Sequence, residues 1–396
     1  MRYTTLDGFR GFFLVFMAIV HANALLGATL GKLNHHYFGW VEDAQGFVFI
    51  SGLVVGLVYG KKYLRKGATD CRNAIFRRIS TIYTHQVALL VILVAMGTGA
   101  FLGGIDAGFF AWFTDGTLDD MVAAMLLVDG PTHMGILPMY IWFMLLTPVV
   151  IHQLMQGRAV LIGALSLAIW GLAQTGVAEL AAARAELFLT GLTGTPIHIG
   201  IYFNLMGWQL LFVTGLIGGT GLARGTLDLG VLAQSQFRGL FFLALGAIVA
   251  LGLLDRMVFD DWFGPAFSRE ILDTTDRGLL SPLYVVAFVV DLFVIVWLMT
   301  QGRHDPLPPV RWASDLLHRV FGSRPLVYLG QHSLTVFAAH IVLVYALDIY
   351  LAANTVSSLT ANLIVLASPL PLFAAAWAHE AWGRRGLAAA QAARAV

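Results

Sequence analysis

RYTTLDGFRGFFLVFMAIVHAN, residues 2–23, decides how the rest of this chain is read. The stretch is apolar enough for a membrane-spanning helix, yet it carries Asp7, Arg10 and His21. At a helical turn of about 100° per residue, the eleven steps from Arg10 to His21 return almost to one face, with Leu14 and Met17 between them. A rise of about 1.5 Å per residue sets the two roughly 16 Å apart along the axis. In a hydrocarbon core about 30 Å thick, Arg10 then lies at one boundary and His21 near the middle. An ionisable group at that depth is costly and as a rule faces a cavity or pathway rather than lipid. The stripe is therefore read as one wall of a buried site. Asp7 and Arg10, three residues apart, suit a local ion pair, or else Arg10 is oriented toward a ligand.

Working outward, the composition agrees with that first helix. Of 396 residues 58% are hydrophobic and 12% charged, against about 25% charged in soluble domains. This predicts an all-α, polytopic integral membrane protein, a single membrane-embedded domain over residues 1–396. Apolar runs of spanning length fall at about 9–27, 44–60, 74–101, 135–156, 159–177, 201–219, 237–254, 279–300, 326–350 and 357–378, which makes about ten transmembrane helices. With both termini in the cytosol, Lys32, Arg184, Arg256, Arg269 and Arg277 fall outside, and the other 19 of the 24 Lys and Arg fall inside. That partition satisfies the positive-inside rule, and an odd helix count would spoil it. No cleavable signal peptide is expected, because Asp7 and Arg10 interrupt the start. The lone Cys71 excludes a disulfide scaffold and sits in a basic loop.

Three longer outer loops, about 102–134, 178–200 and 255–278, carry acids such as Asp106, Asp115, Asp119, Asp120 and Asp129, and aromatics. Phe109, Phe110, Trp112, Phe113, Trp262, Phe263 and Phe267 either stack on sugars over an outward cleft or form a headgroup belt. Segment 118–128 is too short to span and is read as lying along the outer interface. The C-terminal GLAAAQAARAV is read as a short tail.

Polar groups inside the helices supply the candidate chemistry. Arg77, Arg78, Tyr83 and His85 cluster toward the cytosolic end of the third run, where the fork of Arg78 matches phosphate oxygens or snorkels to headgroups. His332 and His340 lie in LGQHSLTVFAAH, eight residues apart on a broad common side. His85 and His340 each also fit a packed interhelical contact. No histidine pair has the i, i+4 spacing of a helical metal site, and His35-His36 are adjacent on an outer loop, so no metal is expected. Asn204, Trp208 and Gln209, in FNLMGWQLLF, suit hydrogen bonding and stacking on a carbohydrate, or interhelical packing beside Gly207. Asp291 and Asp348 are read as structural.

Asp7, Phe9, Arg10, Gly11 and His21, then FVFISGLVVGLVYG (47–60), RRISTIYTH (77–85), ILPMYIWFMLLTP (136–148), FNLMGWQLLFVTG (203–215), LLSPL (279–283) and LGQHSL (329–334), follow in an order that resembles the OpgC proteins. These are succinyl-transferring membrane enzymes that decorate osmoregulated periplasmic glucans, within the acyltransferase-3 superfamily. The resemblance implies a multi-pass protein of the bacterial inner membrane, with an acyl-CoA donor from the cytosol, succinyl-CoA first, and a periplasmic glucan or other glycan acceptor outside. It places His21 at the superfamily's catalytic histidine. The chain departs from the pattern at Val20, where an acid often precedes that histidine, and at Gln45, Gln331 and Tyr284.

A sugar hydroxyl needs a base as it attacks a thioester, and His21, titrating near neutral pH, is the candidate. Asp7, His332 and Ser333 complete the expected catalytic set, with Arg10, Arg78, Tyr83 and His85 on the donor and Asn204, Trp208 and Gln209 on the acceptor. Tyr83, His85, His332 and Ser333 are all candidates to steady the oxyanion. Membrane lipids are expected partners and nucleic acid is not. The rival from another class is a carrier or flippase for a glycan or lipid-linked sugar, since intramembrane charges suit either. A third is a non-catalytic assembly or sensor subunit.

Overall fold

A computed structural model describes residues 4–33, 35, 39–114, 118–194, 198–200 and 202–394. Arg2, His36 and Asp115 lie outside them, as do the side chains beyond residue 384. The described residues form α-helices, short 3-10 turns and loops, with no strand. Eight helices are long and apolar enough to cross a membrane, and up to nine if the bent pair Ala159–Ala173 and Val177–Thr193 is one span. One of the eight, Asp43–Leu102, is 60 residues long and holds both the 44–60 and 74–101 runs on either side of a break at Gly67 (φ 81°). The chain is a multi-pass membrane protein.

Several loop and span readings are corrected. The outer loop at 178–200 is mostly helix, Val177–Thr193, bent by 65° from its predecessor at Gly176 (φ 75°). Its sequence AELAAARAELFL is rich in strong helix formers, which act without an apolar run of spanning length. The 255–278 loop holds the end of Ser235–Phe259 and a short helix, Pro265–Thr274. Within 118–128, read as too short to span, Leu118–Met125 is a helix of 8 residues. The run at 326–350 is two helices, Arg324–Gln331 and Ser333–Ala353, joined at His332. The tail continues the final helix, Leu370–Arg394.

Two compact units make up the chain: Met1–Asn34 with Ala88–Phe110 and Arg319–Val396, and His35–Val87 with Ala111–His318. In the first unit, the opening helix Thr4–Leu26 packs against Arg324–Gln331 so closely that a Cβ at Gly8, Gly11 or Gly330 would strike backbone of the opposing segment: Phe321, Leu326 and Asp7 respectively. In the second unit, Gly52 and Gly56 face Phe212 and Leu216, while Gly215 and Gly219 face Phe49 and Leu53. Small residues four apart on both partners give the close backbone approach on which membrane helices rely, since burial against lipid offers no hydrophobic drive. Elsewhere in this unit Phe241 stacks on Trp297 in a core that receives Val310 from the helix Pro308–Phe321.

Candidate functional site

The opening helix stops where Gly27 (φ 60°) takes the left-handed conformation and its N–H reaches Asn23 O at 2.8 Å. His21 therefore sits in the last two turns. Arg10 donates from Nη2 to Ser333 Oγ at 2.5 Å, and His21 Nδ1 lies 3.1 Å from His340 Nε2. The stripe read from the sequence thus faces one helix, Ser333–Ala353, at both ends. Because the earlier residue meets the earlier and the later the later, the two helices run in the same direction. Leu14 and Met17, between the two contacts, are buried, as are Asp7, Ser333 and His340.

His340 is fully buried, its Nδ1 on the carbonyl of Phe337 at 2.6 Å and its ring edge-on to that phenyl. His332, at the junction of its two helices with φ −105° and ψ 23°, occupies the sparsely populated bridge region where active-site residues often sit. Its Nδ1 faces His379 Nδ1 at 3.1 Å, next to Tyr328, which donates to Glu380 at 3.0 Å. Among the described residues no three His, Cys, Asp or Glu side chains gather as metal ligands.

The remaining candidates belong to the second unit. Arg78 is half-buried and makes no side-chain hydrogen bond or ion pair among the described residues. Tyr83 donates to Met125 O at 3.2 Å, and His85 turns back onto Thr81 O at 2.8 Å. Gln86, next along the helix, is 1% exposed, and neither amide atom has a hydrogen-bond partner among the described residues. No pattern in the sequence marked it, because a single glutamine has no spacing to read.

Asn204, Trp208 and Gln209 do share one helix end, but their bonds are to protein. Asn204 caps the helix Leu205–Arg224 by accepting from Gly207 N, and its amide donates to Glu179 at 3.0 Å. Trp208 is wholly buried, its indole N–H pinned to Gly278 O at 2.9 Å. The expected stacking of a sugar on Trp208 is corrected accordingly: both its faces are covered. Gln209 exchanges hydrogen bonds with Ser166, donating to its carbonyl and accepting from its hydroxyl, each at 2.7 Å. Of the outer aromatics, Phe110 is buried against Tyr345, whereas Trp262 and Phe263 are exposed. Asp348 accepts from Phe109 N at 2.8 Å.

The sequence missed a cluster in this unit. Arg277 bonds Glu42 at 3.0 Å, and Gln45, wholly buried, donates to the backbone carbonyl of Tyr284. The Gln45 side chain and the Tyr284 backbone therefore touch. The pKa of Arg277 is raised; burial opposes this, and Glu42 leads the groups that produce it.

No curated protein and no solved structure matches the chain. The family model described as "OpgC protein" matches residues 2–384. With a single family spanning the opening stripe, the Ser333–Ala353 helix it faces and nearly everything between, the chain belongs to the OpgC protein family.

Proposed function

We propose that this protein is a membrane O-acyltransferase that moves an acyl group, succinyl first, from cytosolic acyl-CoA to a hydroxyl of a periplasmic glucan in the bacterial inner membrane. OpgC membership supports acyl transfer in general. The observation that carries the finer reading is the anchoring of Arg10 and His21 on one neighbouring helix. An imidazole bonded to a buried histidine of the neighbouring helix is placed for a role inside the protein.

His21 accepts the proton of the attacking hydroxyl as the C–O bond to the acyl carbon forms and the C–S bond breaks. The thiolate of CoA leaves and recovers that proton from the imidazolium. No acyl-enzyme nucleophile is needed, so the transfer is direct. Arg10 holds donor phosphate at the cytosolic end, and Asp7 orients Arg10. Ser333, bonded to Arg10, holds the guanidinium toward the donor, and His332 stands at the same end of the helix. Asn204 and Gln209 stay with the acceptor, while Trp208 holds the helix end that carries them.

The test is purified protein in lipid nanodiscs with succinyl-CoA and a glucan, followed by free-thiol release and mass spectrometry of the glucan. Thiol release matched by succinylated glucan is expected, with His21→Ala near background. Glucan movement without thiol release makes the protein a carrier, and near-normal transfer by His21→Ala removes the proposed base.

A further inference from the structure

We infer that His340 is the positioning residue of His21: it fixes the proton of His21 on Nδ1 and thereby makes Nε2 the basic nitrogen. The inference rests on the acyl-transfer reading and deepens it. A backbone carbonyl only accepts, so the 2.6 Å contact with Phe337 O assigns a hydrogen to His340 Nδ1. In the neutral imidazole the other nitrogen is then an acceptor. His340 Nε2, 3.1 Å from His21 Nδ1, can receive a hydrogen bond only if His21 Nδ1 carries the proton. The lone pair of His21 falls to Nε2. The chain of bonds runs from Phe337 O through His340 to His21, and each member sets the tautomer of the next.

Val20, next to His21 in sequence, has nothing to offer an imidazole. The orienter comes instead from a helix 319 residues away in sequence. In its neutral form it orients His21 without placing a second charge beside it. The folding back of His340 onto its own helix at Phe337 is what aims Nε2 across the interface. When the imidazolium forms in the reaction, its Nδ1–H already has an acceptor, and no group has to turn.

The experiment is nitrogen NMR of the protein in nanodiscs with labelled histidine, the His21 signals being assigned among the twelve histidines by their loss in His21→Gln. Wild type is expected to show His21 protonated on Nδ1 and bare on Nε2, and His340→Leu to lose that preference. In turnover with succinyl-CoA, His340→Leu should lose about 100-fold in kcat with the KM for the donor unchanged. His340→Gln, whose amide oxygen takes the place of Nε2 as acceptor, should keep the Nδ1–H signature and recover kcat to within about tenfold of wild type. His21 protonated on Nε2 in wild type, or the same Nδ1–H preference in His340→Leu, overturns the inference. If the leucine variant does not fold, a folded His340→Gln that loses the signature overturns it equally. The tautomer is read without turnover, so the two readings fail separately. An Nδ1–H His21 in a protein that transfers no acyl group sinks the enzymatic reading alone. Transfer that needs His21 and ignores residue 340 sinks this inference alone.

Discussion

Arg10 and Ser333 meet across two helices, guanidinium Nη2 to hydroxyl Oγ at 2.5 Å, at the very start of the helix that also carries His340. Accepting from a cation leaves the serine O–H a better donor and holds the guanidinium in one place. A hydrogen bond to a charged group is worth about 1.5–3 kcal/mol. Ser333→Ala should therefore raise the KM for acyl-CoA by about tenfold with a smaller change in kcat, measured by thiol release. Arg10→Lys keeps the charge but loses the planar fork, and its KM should rise further. A fall in kcat at constant KM in Ser333→Ala would assign that hydroxyl to the oxyanion instead of to the holding of Arg10.

The close helix approaches give a stability prediction with an internal control. A methyl group at Gly330 would meet the carbonyl of Asp7, and one at Gly219 the carbonyl of Leu53. Backbone cannot swing aside as a side chain can, so the helices must separate and lose their packing along the whole contact. Gly330→Ala and Gly219→Ala should each cost about 1–3 kcal/mol, the range for overpacking, seen as a lower thermal midpoint in detergent. A Cβ at Gly99 or Gly171 meets open space within its helix, so alanine there should leave the midpoint unchanged or raise it. Equal losses at all four would show that the close approach is not what holds these helices.

What was legible in the sequence was whatever depends on a regular period or on transfer to lipid. The stripe from Arg10 to His21 could be read because both residues lie on one helix, at an interval that a helix turns into a face. The partners of that stripe could not. Ser333 and His340 are brought there by tertiary packing, which leaves no mark on local spacing. The helix Val177–Thr193 escaped a search for apolar spans because its alanines and glutamates favour a helix without favouring lipid. His332 looked like part of a span because apolar stretches lie beyond Gln331 and Ser333 on either side, and only its backbone angles reveal the joint. Trp208 illustrates the opposite error: an aromatic beside polar residues reads as a sugar platform, while its indole N–H is satisfied by the carbonyl of Gly278.

His133 gives a pH dependence outside the spanning helices. Burial lowers its pKa from 6.5 to about 4 in the folded protein. Above pH 6.5 the ring is neutral in both folded and unfolded chains and contributes nothing to the balance. Below that, the unfolded chain binds a proton that the folded one resists, so stability falls as the pH drops from about 6.5 toward about 4 and then levels off. His133 has φ 69°, a conformation that asparagine accepts without strain. His133→Asn should flatten the acid slope of the thermal midpoint over that window while leaving the midpoint at pH 8 close to wild type. An unchanged slope would mean that other groups set the acid sensitivity.

Gln86 is the last residue whose chemistry and surroundings disagree. Its carboxamide is 1% exposed and has no hydrogen-bond partner among the described residues at either the oxygen or the nitrogen. Leaving such a buried group unsatisfied costs about 1–3 kcal/mol, whereas an apolar side chain of similar shape bears no such cost. Methionine has nearly the same length and adapts to irregular packing. Gln86→Met should thus stabilise the protein, raising the thermal midpoint by about 2–4 °C for each kcal/mol recovered. A lower midpoint would show that the carboxamide is bonded within the folded protein, to a water held between the helices.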